Sequence, residues 1–241
     1  MGELFFTLLY QPLYNLLVII YNLMPWGGAG LAIIVLTLVV KGVLLPLTFR
    51  SLKAQKELQE IQPKIAEIKE AYKDDKEKQA KELMAVYKNH NVNPFASCLP
   101  TIVQLFVFLA LYRALSAGIA TINGDFLYSF VSNPGTMQHI FLGIDLGKVS
   151  IPLAIFAALT QYLQAKQMVT RRPPKVVRES SAALDEDVTA SMNKMMTTFL
   201  PLMMLVIGST TLAGGLTLYI CISTLFTYVL YAMFLHPKPK V

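Results

Sequence analysis

The sequence has few charged residues for its length. Only 15% of its 241 residues are charged, whereas soluble domains carry about 25%. Apolar residues make up 54% of the chain, and the mean hydropathy is +0.50. This composition excludes an ordinary soluble domain, and it equally excludes a disordered chain, because disordered chains are poor in apolar residues. It indicates a membrane protein with several apolar helices.

The sequence also lacks the residue clusters on which enzymes and metal sites depend. Cys98 and Cys221 are isolated in apolar stretches, where cysteine acts as a small hydrophobic side chain. The histidines at 90, 139 and 236 are scattered, so no metal-ligand spacing is present. No phosphate-binding loop, nucleophile elbow or zinc-protease motif occurs. We therefore expect no enzymatic activity, no metal, no cofactor and no use of nucleotide.

Five apolar stretches have the length that a transmembrane helix needs, about 17 to 25 residues. They predict an all-α membrane protein in which the last two spans form an antiparallel hairpin. The predicted division is an external amphipathic segment at 1–29, spans at 30–49, 97–115, 151–167, 195–213 and 214–235, a cytoplasmic helical hairpin at 50–96, an external loop at 116–150, a cytoplasmic loop at 168–194 and a cytoplasmic tail at 236–241.

The first apolar stretch, residues 4–24, differs from the others because its polar residues fall in a line. Gln11, Asn15 and Asn22 share one face of a helix. Tyrosines flank that face, and tyrosine favours the headgroup region of a membrane. The pattern predicts an amphipathic helix lying in the membrane interface. A buried helix of the bundle with the same polar stripe is the alternative.

The polar segment 50–96 carries its own apolar period, which predicts two helices packed against each other outside the bilayer. Its first seam consists of Leu58, Ile61, Ile65, Ile68 and Tyr72, and its second of Ala80, Leu83, Met84 and Tyr87. Pro63 is expected to lie at the start of the first hairpin helix.

The distribution of basic residues predicts the orientation. All of the 21 Lys and Arg except Lys41, Arg113 and Lys148 lie in the segment 50–96, in the loop after 165 or in the tail after 235. Five spans place these three segments on the same side, and the positive-inside rule makes it the cytoplasmic side. The N-terminus is then outside and the C-terminus inside.

Lys41 is the one basic residue deep within a predicted span. A lysine at the centre of a span costs about 2.5–3.5 kcal/mol, and no predicted span contains Asp or Glu to pair with it. Either its side chain reaches the headgroups, or it serves a water-containing groove inside the bundle. Polar stripes on four spans favour the groove, and the candidate groove residues are Thr37, Lys41, Thr101, Gln104, Gln161, Gln164, Thr217, Thr224 and Tyr228.

Several motifs, in this order and spacing, resemble the YidC/Oxa/Alb family of membrane protein insertases. They lie at 11–17, 36–47, 62–75, 93–112, 141–146 and 214–219. The second motif contains Lys41, at the position where the family usually has arginine as its groove cation. Pro46 follows it. Ile220 stands where an aromatic residue is expected.

The resemblance implies a fold of five transmembrane helices around a hydrophilic groove, with the N-terminal interfacial helix and the cytoplasmic hairpin. It implies an insertase and chaperone in the bacterial cytoplasmic membrane. Nascent membrane proteins with acidic or short translocated tails would be its substrates. The lipid bilayer, the ribosome and the Sec translocon would be further partners. From the residues alone, a small-solute channel or transporter and a membrane assembly scaffold remain alternatives.

Overall fold

The fold is known from a computed structural model, which describes residues 3–90, 92–93, 99–116, 122–169 and 195–235. Most of the predicted cytoplasmic loop 168–194, the tail 236–241 and Cys98 lie outside the described residues. The described helices are α1 (Glu3–Leu23), α2 (Gly28–Val43), α3 (Leu45–Glu60), α4 (Gln62–Ala71), α5 (Lys76–Asn89), α6 (Leu99–Ser116), α7 (Ile151–Val169), α8 (Leu200–Thr210) and α9 (Gly214–Leu235). The predicted all-α membrane fold is confirmed.

Two of the described helices, α1 and α9, are long and apolar enough to cross a membrane by themselves. The pair α2 and α3 passes the same test together, although the two helices meet at an angle of 59°. Residues 99–115 and 197–210 form shorter apolar helices. Length and composition therefore allow α1 to span, and its predicted place in the interface stays a prediction.

The stretch predicted as the first span, 30–49, is bent, because the helix breaks at Leu44. α2 ends at Val43 and α3 begins at Leu45. Pro46 is the cause, since its ring clashes with the carbonyl group four residues earlier and it has no N–H to donate. The kink expected at this proline is present, and α3 then continues as far as Glu60.

α9 is the central helix of the bundle. It packs against α7 and α2, and less extensively against α6. Its residues Leu216, Leu218, Tyr219 and Cys221 are buried and belong to one apolar cluster with residues of α1, α2 and α6.

The sequence predicts an antiparallel hairpin for the last two helices. α8 and α9 are joined by a short turn, but each packs against α7 instead of against the other. The turn is held by the preceding loop, because Gly214 N–H donates to Lys148 O at 2.7 Å and Gly215 N–H to Leu146 O at 2.8 Å. A Cβ atom on Gly214 would lie 3.1 Å from Lys148 O, so the close approach requires glycine.

The loop before α7 contains a small β-hairpin that the sequence did not predict. Strands β1 (Ile140–Phe141) and β2 (Ile144–Asp145) pair antiparallel. Leu142 and Gly143 connect them with φ of 51° and 79°, which is the left-handed conformation of a tight hairpin turn. The turn expected near Asn133 is present, since the Asn133 side chain accepts the N–H of Gly135 at 2.8 Å.

The helical hairpin predicted in 50–96 is formed by α4 and α5. Its small core contains Ile61, Ile65 and Val92, with Leu83 and Tyr87 packed against it. Asp75 caps α5 by accepting the N–H of Lys78 at 3.0 Å. Pro63 lies in the first turn of α4, as expected.

Candidate functional site

The candidate site is built around Lys41, which lies in the last turn of α2. Its side chain is half-buried, and Nζ donates to the hydroxyl of Thr227 on α9 at 3.2 Å. Ion pairs elsewhere in the described residues join Lys53 to Glu57, and His139 and Lys148 to Asp145. Lys41 thus has a hydroxyl partner and, within the described part of the chain, no carboxylate partner.

Thr37 lies one turn earlier on α2, but it does not contact Lys41 by a hydrogen bond. It is 1% exposed, and its hydroxyl donates to Ile33 O in its own helix at 2.7 Å. This back-bonding satisfies a threonine inside an apolar interface. Thr37 therefore contributes to the packing of α2 more than to an accessible polar surface.

A line of polar side chains along α9 extends the site in both directions from Lys41. Its members are four residues apart, so they follow one face of the helix: Tyr219, Ser223, Thr227 and Tyr231. We call this line the α9 stripe.

Three members of the α9 stripe each bind a different helix. The Tyr219 hydroxyl accepts from Gln104 on α6, and Thr227 accepts from Lys41 on α2. Tyr231 exchanges hydrogen bonds with the amide of Gln55 on α3, at 3.2 and 3.3 Å. The stripe therefore connects α6, α2 and α3 through polar contacts, beside the bend between the latter two helices.

A second polar contact joins α9 to α7. The hydroxyl groups of Thr160 and Thr224 lie 2.8 Å apart. Gln161, the residue after Thr160, holds a buried Oε1 atom without a hydrogen-bond partner in the described residues. Gln164 and Tyr228 are half-buried on the same two helices. A buried unpaired acceptor costs about 1–3 kcal/mol, so it marks a position with spare hydrogen-bonding capacity.

The structure separates two predicted residues from this arrangement. Thr217 is completely buried, with its hydroxyl directed at Ala213 O at 3.3 Å. Thr101 is exposed near the start of α6. Neither joins the set of contacts around Lys41.

Sequence reasoning missed three residues that complete the set: Gln55, Tyr219 and Thr227. The candidate groove residues that the sequence singled out on this helix, Thr217, Thr224 and Tyr228, follow a different line of α9. Hydroxyl groups occur on several sides of that helix, so the pattern alone could not select a face. The exact four-residue spacing of the α9 stripe was the available signal.

The site is a partly buried polar surface with one positively charged group. It offers an ammonium group, hydroxyl groups and amides, which bind carboxylates and peptide groups. The described residues contain no group of three or more His, Cys, Asp and Glu side chains that could hold a metal ion. The arrangement suits reversible binding of a polar or acidic peptide.

Comparisons with known proteins identify the family of this chain. Residues 19–238 match the family model of the 60Kd inner membrane protein. The chain is similar to proteins named membrane protein insertase YidC. It is 37% identical to the protein from Pelobacter propionicus over 171 residues. These aligned residues are 70% of this chain and 31% of that protein. It is 40% identical to the protein from Geobacter sulfurreducens over 145 residues. These aligned residues are 58% of this chain and 27% of that protein.

The matched region thus spans less than a third of the length of these relatives. The family match, in contrast, extends over most of this chain. The resemblance found in the motifs is confirmed, and the chain belongs to the 60Kd inner membrane protein family, the YidC/Oxa/Alb family.

Proposed function

We propose that this protein is a membrane protein insertase and chaperone that works through the polar surface around Lys41. The observation that carries the proposal is the partner of Lys41, a single hydroxyl at 3.2 Å instead of a carboxylate. An ammonium group paired with a hydroxyl keeps its full charge available for an incoming acidic group. The relatives named insertases support the same activity.

The proposed mechanism uses attraction and partition, without a covalent step. Lys41 attracts an acidic residue of the substrate's translocated tail, and charge-assisted hydrogen bonds of this type are about twice as strong as neutral ones. Gln104, Gln161 and Gln164 with Thr224 and Tyr228 exchange hydrogen bonds with the tail as it advances. The apolar segment of the substrate then enters lipid, with a gain of about 25 cal/mol per Å² of buried apolar surface. Such a cycle needs no nucleotide.

The bend between α2 and α3 supports the position of the groove. The two helices diverge by 59° at Leu44, only three residues after Lys41. Divergence of two helices next to a charged side chain leaves room for water and for a peptide. We infer that the groove opens on this side, which is the cytoplasmic side in the orientation that the basic residues predict.

The contacts of α1 support its placement in the external membrane interface. Loop residues bind along most of the helix, from Asn15, which donates to Phe126 O at 2.9 Å, to Asn22, which donates to Ser132 O at 2.7 Å. The bonded stretch from Gln11 to Asn22 measures about 16 Å along the axis. If α1 crossed the bilayer upright, this polar loop would have to lie in hydrocarbon, where irregular backbone is not tolerated.

We infer a multi-pass protein of the bacterial cytoplasmic membrane, with its N-terminus outside and its C-terminus inside. Its substrates would be nascent membrane proteins with short or acidic translocated tails. Docking to the ribosome or to the Sec translocon would involve the hairpin formed by α4 and α5, whose exposed surface is charged.

The test is an insertion assay in proteoliposomes that contain the purified protein. A one-span substrate with an acidic tail is added, and the protease-protected fraction is measured. Lys41→Ala should lower insertion about tenfold, the effect expected from loss of one charge-assisted contact, whereas Lys41→Arg should keep it. Lys53→Ala, which removes an exposed lysine on α3, is the matched control.

Three results would contradict the proposal. Full insertion by the Lys41→Ala variant would exclude the electrostatic mechanism. Normal insertion together with an altered topology of that variant would instead identify Lys41 as a residue that reaches the headgroups. Flux of small solutes through the same vesicles, with no insertion, would favour a channel.

A further inference from the structure

A cavity of about 480 Å³ lies between the start of α1 and the end of α6. This is the size range of small-molecule sites, about 300–1,000 Å³. It is lined by Glu3, Phe5, Phe6, Thr7, Tyr10 and Arg113. None of these residues belongs to the polar set around Lys41, so the cavity is a separate feature of the molecule.

The cavity carries one group of each charge. Glu3 lies in the first turn of α1, and Arg113 lies in the last turn of α6. Both side chains are exposed, and neither takes part in an ion pair within the described ranges of the chain. A cation and an anion that share a cavity without pairing suit a ligand that carries both charges itself.

Aromatic rings form the wall between the two charges. The rings of Phe6 and Tyr10 are stacked with centroids 5.2 Å apart, and Phe126 meets both of them edge-on, at 5.4 and 5.8 Å. The faces of aromatic rings attract ammonium groups. Such rings also prefer the depth of the lipid headgroups in a membrane.

Apolar surface continues from the cavity along α1. Leu4 and Leu8, four residues apart on the helix, are 74% and 67% exposed. Two exposed leucines beside a charged cavity fit acyl chains that continue from a headgroup. A free phosphorylated amine would make no use of them.

We propose that this cavity binds the headgroup of a zwitterionic aminophospholipid of the phosphatidylethanolamine type. Arg113 binds the phosphate through its planar pair of N–H donors. Glu3 and the half-buried ring of Phe6 hold the ammonium group, while Leu4 and Leu8 contact the acyl chains. The site would tie α1 and α6 to the outer membrane surface. This last statement depends on the proposed placement of α1, but the binding itself does not depend on insertase activity.

The test is native mass spectrometry of the full chain in detergent with added lipid. The wild-type protein should retain phosphatidylethanolamine in preference to phosphatidylglycerol, which has the phosphate but no ammonium group. Arg113→Gln should lower the retention of both lipids about tenfold. Glu3→Gln should remove the preference and leave the retention of phosphatidylglycerol unchanged. Arg50→Gln, at an exposed arginine on α3, is the control and should behave as the wild type.

Soluble phosphoethanolamine distinguishes a lipid from a free ligand. It should not displace the bound lipid at equal concentration, because it lacks the acyl chains. Displacement at equal concentration would overturn the lipid assignment, and so would equal retention of both lipids by the wild type. Arg113→Lys keeps the charge without the planar pair of donors and should retain an intermediate amount. If Arg113→Gln does not fold, a wild-type level of lipid on Arg113→Lys would overturn the role of Arg113.

Discussion

The surface where α1 meets the loop at 122–138, which we propose is external and call the external face, is polar, as is the surface around Lys41. The two surfaces are held together in different ways. On the external face, α1 side chains bind backbone groups of the loop at 122–138, and Asn15 at its centre is 1% exposed. Around Lys41, contacts run between single side chains, and the buried Oε1 of Gln161 has no partner among the described residues. The first arrangement specifies one closed structure. The second leaves hydrogen-bonding capacity that a substrate could use.

The strongest test of this comparison is Asn15→Ala. The Asn15 amide donates to Phe126 O at 2.9 Å and accepts the N–H of Tyr128 at 2.7 Å. Removing it leaves the Tyr128 N–H unpaired, at about 1–3 kcal/mol, and leaves Phe126 O with only the 3.4 Å contact from Gln11 Nε2. A melting curve in detergent should therefore show a clear loss of stability. Asn22→Ala, which removes one bond at an exposed position, should cost less. Equal melting temperatures for these two variants would contradict the closed external face.

Gly214→Ala tests the same face at the turn before α9. The new Cβ would meet Lys148 O at 3.1 Å and Asp145 O at 3.2 Å, and overpacking of this type costs about 1–3 kcal/mol. The melting temperature should fall. Gly42→Ala, at a position where a Cβ meets nothing within 4 Å, should leave it unchanged or raised. A tolerated Gly214→Ala would show that the turn can move away from the loop.

Thr227→Val probes the surface around Lys41. It should lower the stability less than Asn15→Ala or Gly214→Ala does. The substitution removes the hydroxyl that Lys41 binds at 3.2 Å and keeps the shape of the side chain. Because Lys41 is half-buried and can bind water instead, stability should change by no more than about 1.5 kcal/mol. A loss as large as that of Asn15→Ala would mean that this surface is as closed as the external face.

The sequence was sufficient for the helices, the hairpin formed by α4 and α5, and the break at Pro46, since each has a local cause. It was also sufficient for the family and for Lys41, because a charged residue stands out in an apolar run. It was not sufficient for the partners of Lys41. Thr224 and Thr227 have the same chemistry and lie on the same helix, and only the packing of α7 and α2 decides which one Lys41 meets.

The partners of the polar line on α1 were likewise not predictable from the sequence. Its periodicity was plain in the sequence, and it predicted a surface directed at water or headgroups. The structure uses it to bind backbone groups of the loop instead, as with the Tyr14 hydroxyl, which accepts the N–H of Asn123 at 2.8 Å. An irregular loop has no period of its own, so its contacts with a helix cannot be predicted from spacing.

The smallest expected effect concerns pH and the β-hairpin of the external face. The Gly147 N–H, at 2.9 Å from Asp145 Oδ1, holds the pKa of that carboxyl below its usual value, with a further contribution from Lys148, whose Nζ is 3.2 Å from Oδ2. A carboxyl whose pKa is lowered by folding contributes stability above its unfolded pKa of about 4 and loses it as the pH falls through the lower folded value. Melting temperatures measured between about pH 2 and pH 6 should therefore decline at the acid end for the wild type. In Asp145→Asn this part of the decline should be absent. An equal decline of the melting temperature in both proteins would show that Asp145 is not its cause. Because Asp145 is accessible to solvent, the difference should be smaller than that of any substitution above.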